Sequence, residues 1–347
     1  MSEAESAFEI RRATADDEES LAEVFENSPD GGKIGFVPQF RIDPYVAYNT
    51  IRENVTGFIA ETRSGEPAGA GFVSIVSARL GGNVRDCAIL DGLAVREQYR
   101  GQGLGKQLAA ERVDYAESKL ADDGVILAYI QEGNDPSKAV AESWSDQFAY
   151  EQVVYALDPN PDGNDDHSYN IREIRDDEIP LAVDRANSFY SEFEMYSPLE
   201  PDRLRSRLAD TPLDEPVARY IVAEDGNDIV AGTLVLDQHK LMWTGIEELP
   251  PELQDADELP PSIPESREIR MRTLGNIWYD DGYEEAGKAL VDATRANPGN
   301  ANRIILQYDP DGPVDAIVRN EDALIRHQAA LRGLSNPQPD QPTAFIL

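Results

Sequence analysis

The sequence predicts a mixed α/β protein built from two similar domains in tandem. Three observations lead there. The stretch from Ala88 to Lys119 reads as a buried strand, a glycine-rich turn and the start of an amphipathic helix. Around it, strand and helix patterns alternate in the order β-α-α-β-β-β-α-β-α-β, which is that of a mixed sheet covered by helices. From Tyr169 onward the same order of elements begins again, as an internal repeat does. A chain of 347 residues exceeds one ordinary core and suits two.

Taken in order, Phe8 to Arg12 reads as a short strand, and Thr14 caps a helix running to about Asn27 with Leu21, Val24 and Phe25 as its apolar stripe. Ser28 to Ile42 is rich in Gly, Pro and aromatics, namely Gly31, Gly32, Phe36, Pro38 and Phe40, and a short helix is expected from Pro44 to Arg52. Thr56–Thr62 and Ala68–Ala78 alternate as two strands around the turn residues Ser64 to Pro67. Asp86 to Val95 is the next strand. Beyond the glycine turn, Leu104, Leu108, Val113, Ala116 and Leu120 share one helix face. Gly124 to Gln131 is a further strand. Pro136 suits the first turn of a helix capped by Asn134 or Asp135, and Phe148 to Leu157 closes the half as a strand.

The glycine turn carries the chemistry. A strand that runs through a tight turn into a helix points unpaired N–H groups outward, and with the helix dipole these make an anion site. Gly101, Gly103 and Gly105 leave the backbone open to a phosphate, and Arg100 and Lys106 add positive charge. A Walker A loop is excluded, because it needs Gly at Arg100 and Ser or Thr at Gln107. The spacing is not that of a Rossmann fingerprint either.

On LAVREQYRGQGLGKQL, Leu93 to Leu108, and on strand order, residues 6–158 resemble the GNAT acetyltransferase superfamily. The resemblance implies that acetyl-coenzyme A is the cosubstrate. Its pyrophosphate would lie on the amides of Gln102, Gly103, Leu104, Gly105 and Lys106, flanked by Arg100 and Gly101. Its pantetheine arm would run along Leu93, Ala94 and Val95, with Asn134 at the next helix. Gly92 would permit a bulge that splays this strand from its neighbour and admits the thioester. Acetyl transfer to an amine needs a base, a held thioester and a donor for the developing oxyanion, here a backbone N–H in 93–95. Asp91 is the first candidate base, since burial in an apolar run raises a carboxyl's proton affinity; Glu132 is the second. For each, a purely structural hydrogen bond is the competing reading. The family's usual tyrosine acid is missing: Ser143 stands there, beside Trp144. Tyr150 or Tyr155 either substitutes or packs in the core. Phe36, Phe40, Tyr45 and Tyr48 either line the amine pocket or cover the sheet.

The expected domains are residues 1–158, an acidic linker at 159–168, and 169–347 as a degenerate second copy, an arrangement similar to that of mycothiol synthases. YNIREI at Tyr169 echoes FEIRRA at Phe8, YIVAEDGNDIVAGTLVL at Tyr220 echoes GFIAETRSGEPAGAGFV at Gly57, and GKAL at Gly287 echoes GKQL at Gly105. In that register Glu284 and Glu285 fall in the anion cradle, where two carboxylates repel a pyrophosphate. The second half is therefore expected to be a lapsed site, completing the acceptor cleft or mimicking a dimer partner. NEDALIRHQAALRGL, Asn320 to Leu334, resembles the family's late helix, with His327 on it. Thr244 to Glu268 is acidic and proline-rich, a loop or a lid. Pro342 to Leu347 suits a terminal strand.

Composition bounds the rest. Sixty-six acids against 31 bases give a formal net charge of −35, spread through both halves. That is the coat of a protein kept soluble in strong salt, rather than a lure for polycations, and it disfavours nucleic acid. The acidic start and the lack of long apolar runs predict a cytoplasmic protein without membrane partner. The single Cys87 leaves no internal disulfide or multi-cysteine metal site. The expected partner is a small-molecule or peptide amine, and the expected state a pseudo-dimeric monomer or a homodimer. The expected activity is N-acetyl transfer in the first half, with a coenzyme A-binding sensor or a purely structural tandem protein as rivals.

Overall fold

The structure is a computed structural model and describes residues 7–30, 32, 34–163, 168–249, 253, 263–318 and 323–344. The first lobe comprises β1 (Phe8–Arg12), α1 (Glu18–Glu26), β2 (Gly35–Phe40), α2 (Pro44–Arg52), β3 (Val55–Thr62), β4 (Pro67–Leu80), β5 (Asn83–Val95), α3 (Leu104–Glu117), β6 (Val125–Gln131), α4 (Asp135–Ala141) and β7 (Gln147–Leu157). The second repeats the plan with β8 (Asn170–Glu173), α5 (Ile179–Phe189), α6 (Pro201–Ala209), β9 (Ala218–Asp225), β10 (Asp228–Leu236), β11 (Met242–Glu248), β12 (Glu268–Ile269), β13 (Met271–Tyr279), α7 (Glu284–Ala296), β14 (Arg303–Tyr308) and β15 (Ala323–Arg332).

The two lobes share one twelve-stranded sheet in the order β1-β3-β4-β5-β6-β15-β7-β14-β13-β10-β9-β8. Its two halves mirror one another, and the last strand of each lobe has changed sides. β7 pairs antiparallel with β14 of the second lobe, and β15 pairs antiparallel with β6 of the first. The two exchanged strands also pair with each other. Burying both edges of each exchanged strand leaves no open sheet edge at the lobe junction.

This exchange corrects one sequence expectation. The described part of the expected late helix, 323–334, is not helical: Ala323–Arg332 is a central strand, and 320–322 lie outside the described residues. A second correction concerns Ser28 to Ile42, which holds β2. This strand pairs with β11, so a three-stranded sheet, β12-β11-β2, also ties the lobes together. Of the expected terminal strand, Thr343 makes an isolated bridge to Glu194, and 345–347 lie outside the described residues. The same holds for Gly31, for 164–167 of the acidic linker and for 250–252 and 254–262 of Thr244 to Glu268, whose first residues, 244–248, are strand β11.

The core follows the layers. Leu104, Leu108, Ala109, Val113 and Ala116 press α3 onto Phe58, Val73, Ala88, Leu90 and Ile126 of the first half-sheet. Ala286, Leu290 and Val291 of α7 do the same over Val230, Leu274, Ile304 and Leu306. On the other face of the first lobe, Phe25, Phe72, Tyr48 and Phe40 form a stacked aromatic cluster under α1 and α2. No described helix is long and apolar enough to cross a membrane.

Candidate active site

β5 and β6 pair in parallel only over Cys87–Ile89 and Val125–Leu127. Beyond Ile89 they part, because β5 bulges. Phe72 of β4 lies opposite Asp91 and Ala70 opposite Ala94, so Gly92 and Leu93 together face the single residue Gly71. Gly92 takes φ +59°, and a Cβ there would meet the Tyr48 hydroxyl at 3.1 Å and Phe25 and Phe72 at 3.3 Å. The expected bulge and gap are therefore present, and the glycine is required on both conformational and steric grounds.

The gap is a cavity of about 150 Å³ between Leu90–Leu93 on one side and Ala128–Gln131 on the other. Arg112, Asn134 and Trp144 close it from the helical side, and Asp30 and His327 also line it. The glycine turn follows β5, and Gly105 stands against Val140, which lines the cavity. Gly101 and Gly103 adopt φ of +73° and +82°, and Gly103 is the N-cap of α3. Among the described residues, no acceptor meets the N–H groups of Gly101, Gln102, Gly103, Leu104, Gly105 or Lys106. Of these six, all but Leu104 are exposed or half-exposed, and such donors at a helix N-terminus can seat a diphosphate.

The two cations of this turn differ. Arg100 donates from Nε to the Val95 carbonyl at 2.9 Å and from Nη2 to the Pro29 carbonyl at 2.7 Å, so it braces the turn against β5 and the α1–β2 connection. Lys106 is exposed. Leu93, Ala94 and Val95 present the edge of β5 that β6 has left, which is the edge an added extended chain can use. Asn134 spends its side-chain oxygen on capping α4, accepting the Ser137 N–H at 3.0 Å.

Asp91 is not the unpaired buried carboxyl that the sequence suggests. Its Oδ2 accepts from Arg52 Nε at 3.2 Å and its Oδ1 from the Gly92 N–H at 2.8 Å, so it holds the bulge. Glu132 is exposed and lines a neighbouring cavity of about 360 Å³ with Glu151, Lys138 and Arg326, rather than the gap. Neither substitute tyrosine reaches the gap. Tyr150 donates to Glu194, and Tyr155 stacks on Tyr308 in the core of the second lobe. Of the four candidate wall aromatics, Tyr45 donates to the Val55 carbonyl, Phe36 packs with Ile246, and Phe40 and Tyr48 join the aromatic cluster.

Three further residues line the gap. Asp30 follows α1 on an irregular connection. Its Oδ1 accepts the Phe36 N–H at 3.1 Å, while Oδ2 has no partner among the described residues. Burial pushes its carboxyl up to about 6, against the pull of the Phe36 and Gly32 N–H groups. His327 comes in on β15, opposite Gln131; burial pulls it down to about 4, so its imidazole is neutral at pH 7. Arg112 reaches beneath the bulge from α3.

The second lobe repeats this plan without the opening. β13 bulges at Asn276, with φ +50°, and parts from β14 beyond Leu274 and Leu306. The space so made is about 20 Å³, filled by Tyr190, Phe193 and Ala344. Glu284 and Glu285 sit, exposed, in the first turn of α7.

Residues 22–144 match the family model described as the acetyltransferase (GNAT) family. No functionally curated protein matches the sequence. Among solved structures, N-myristoyltransferase of Saccharomyces cerevisiae with bound myristoyl-CoA is similar over 98% of this chain and 87% of its own, at 12% identity and a TM-score of 0.66. GCN5-related N-acetyltransferases of Sphaerobacter thermophilus (94% of this chain, 95% of that one, 12% identity, TM-score 0.57) and Anabaena variabilis (94%, 73%, 12%, 0.55) share the fold as well. Residues 22–144 are thus similar to the GNAT acetyltransferase family, and the chain as a whole has a two-domain GNAT-like fold.

Proposed function

We propose that the protein is an acetyl-coenzyme A-dependent N-acetyltransferase with one working site, in the first lobe. The observation that carries this reading is the conjunction of the unpaired turn amides with the open gap beside the bulge. The amides bind the pyrophosphate, the freed edge of β5 binds the pantetheine arm, and the thioester enters between β5 and β6. The amine attacks the thioester carbon, a C–N bond forms and the C–S bond breaks. The Leu93 N–H stabilises the oxyanion. Asp30, through water, takes the ammonium proton in preference to Asp91, whose oxygens are engaged, and to Glu132, which faces another cavity. No tyrosine acid is needed, since a thiolate is a fair leaving group. The acceptor is a small-molecule or peptide amine, and the acid-rich surface fits a protein of a salt-rich cytoplasm. The second lobe is structural and takes the place of a dimer partner.

Turnover of acetyl-coenzyme A with a panel of amines tests this; a chain that binds coenzyme A but acetylates none of them is a sensor. For a base near 6, activity rises with pH as Asp30 loses its proton and levels off above about 7. Asp30→Asn removes that limb and lowers kcat/KM by roughly a hundredfold. An unchanged pH profile in this variant assigns the proton elsewhere.

A further inference from the structure

A cation, Arg112, is buried at the gap. Four arginines are buried among the described residues: Arg52, Arg112, Arg272 and Arg303. Arg52 pairs with Asp91, Arg272 with Asp237 and Arg303 with Asp158. Arg112, only 2% exposed, makes no ion pair with any described residue. In a chain with 66 acids and 31 bases, this is the reverse of what burial selects. A buried charge with no carboxylate at ion-pair distance is costly and persists only where something offsets it, and Asp91, whose charge acts on Arg112, is already bonded to Arg52. Burial pulls the guanidinium down only to about 10, so it is charged at neutral pH.

Support of the bulge explains part of this side chain. Nη1 donates to the carbonyls of Asp91 at 2.9 Å and Phe72 at 3.3 Å, while Nε has no partner. Yet the bulge needs no cation. In the second lobe, Gly275 takes the register of Asp91, and its carbonyl accepts from the neutral Thr233 hydroxyl at 3.0 Å. The helix position matching Arg112 in the repeat is Thr294, which bonds within its own helix. The closed gap thus does without a charge, and the open gap has one on its wall.

We propose that Arg112 is an acyl-specificity residue, which binds a carboxylate at the far end of a short dicarboxylic acyl group, so that a succinyl thioester is held in preference to a neutral one of equal length. The inference rests on the coenzyme A reading of the gap and refines the acyl group within it. Arg112 touches the carbonyl of Asp91, the residue before the bulge at which the thioester would seat, which places the guanidinium at the acyl end. A planar guanidinium with free donors matches a carboxylate in charge and geometry. A long saturated chain passing the same point would bury those donors without an acceptor.

Calorimetric titration of the full chain with coenzyme A, butyryl-coenzyme A and succinyl-coenzyme A tests this, because the last two differ chiefly in the terminal carboxylate. Succinyl-coenzyme A is expected to bind about tenfold or more tighter than butyryl-coenzyme A, as a charge-assisted pair allows. Arg112→Gln should bring the two within about twofold of each other and leave coenzyme A itself unaffected. Should Arg112→Gln fail to fold, Arg112→Lys, which keeps the charge, is expected to retain the preference, and the wild-type comparison stands by itself. Equal affinities in the wild type, or a preference that survives Arg112→Gln, overturn the proposal. So does a loss of turnover in Arg112→Gln with the acyl preference intact, which assigns the cation to the oxyanion. Coenzyme A binding without acyl preference sinks this inference alone, whereas no coenzyme A binding at all sinks the donor reading and this inference with it.

Discussion

The two lobes have one backbone plan and opposite outcomes. Both carry a strand with a bulge, a parallel neighbour that parts from it, and a helix that opens after a turn. In the first lobe the parted strands enclose about 150 Å³, and in the second about 20 Å³. The difference lies in side chains. Tyr190 donates its hydroxyl to the Ile277 carbonyl at the second bulge, and Phe193 packs beside it. Tyr190 also stacks on Tyr196 and joins the main core cluster of that lobe. The open gap of one copy is hydrophobic core in the other, and at the start of α7 Glu284 and Glu285 stand at the positions of Gln102 and Gly103. The fold thus supplies the geometry, and a handful of positions decide whether it holds a ligand or a core.

The largest expected effect is on the closed gap. Tyr190→Ala removes a buried ring and its hydrogen bond, and should cost about 3–5 kcal/mol of stability in denaturant unfolding. It should leave coenzyme A affinity unchanged, and new binding by this variant would show that Tyr190 alone closed a competent site. The bulges give a sharper contrast. Gly92→Val forces a β-branched residue to φ +59° against Tyr48, Phe25 and Phe72, and should cost on the order of 2 kcal/mol and abolish turnover. Asn276→Gly, at φ +50° in the second lobe, should change stability by less than about 1 kcal/mol and leave turnover alone. Equal effects would mean that the two bulges are equally structural. The smallest effect is expected at the lysines. Lys106 is exposed, whereas Lys288, its counterpart in the repeat, pairs with Asp292 one turn along α7. Lys106→Gln should weaken coenzyme A binding roughly twofold to fivefold, less as salt rises. Lys288→Gln should do nothing to it.

Much of the first lobe is legible in the sequence because its strands alternate, its turn is glycine-rich and its helix caps include Thr14 and Asn134. The places where reading fails share a cause: partners distant in sequence. ALIRHQAALR is rich in helix formers, and only its position between β6 and β7 makes it a strand, a tertiary override of propensity. β2 is obscured by Pro38, which is tolerated because β2 lies at the edge of its sheet. In the site, the turn amides and the bulge were visible, since glycines announce both. Asp91 was visible as a carboxylate, but its tie to Arg52 depends on α2 packing against the sheet, and no local pattern encodes it. Asp30 sits on an irregular connection, and His327 arrives on an exchanged strand, so neither has a neighbour in sequence that marks it. Arg112 has no motif around it, and its burial without an ion pair shows only in the structure.

The central claim is that ligand binding belongs to one lobe, through the bare amides of its glycine turn. Calorimetric titration of coenzyme A against the wild type, Gly103→Glu and Glu285→Gly tests it most directly. The account predicts one site per chain in the wild type, none in Gly103→Glu, and one of near-wild-type affinity in Glu285→Gly. Undiminished binding by Gly103→Glu, or a second site per chain, would contradict it.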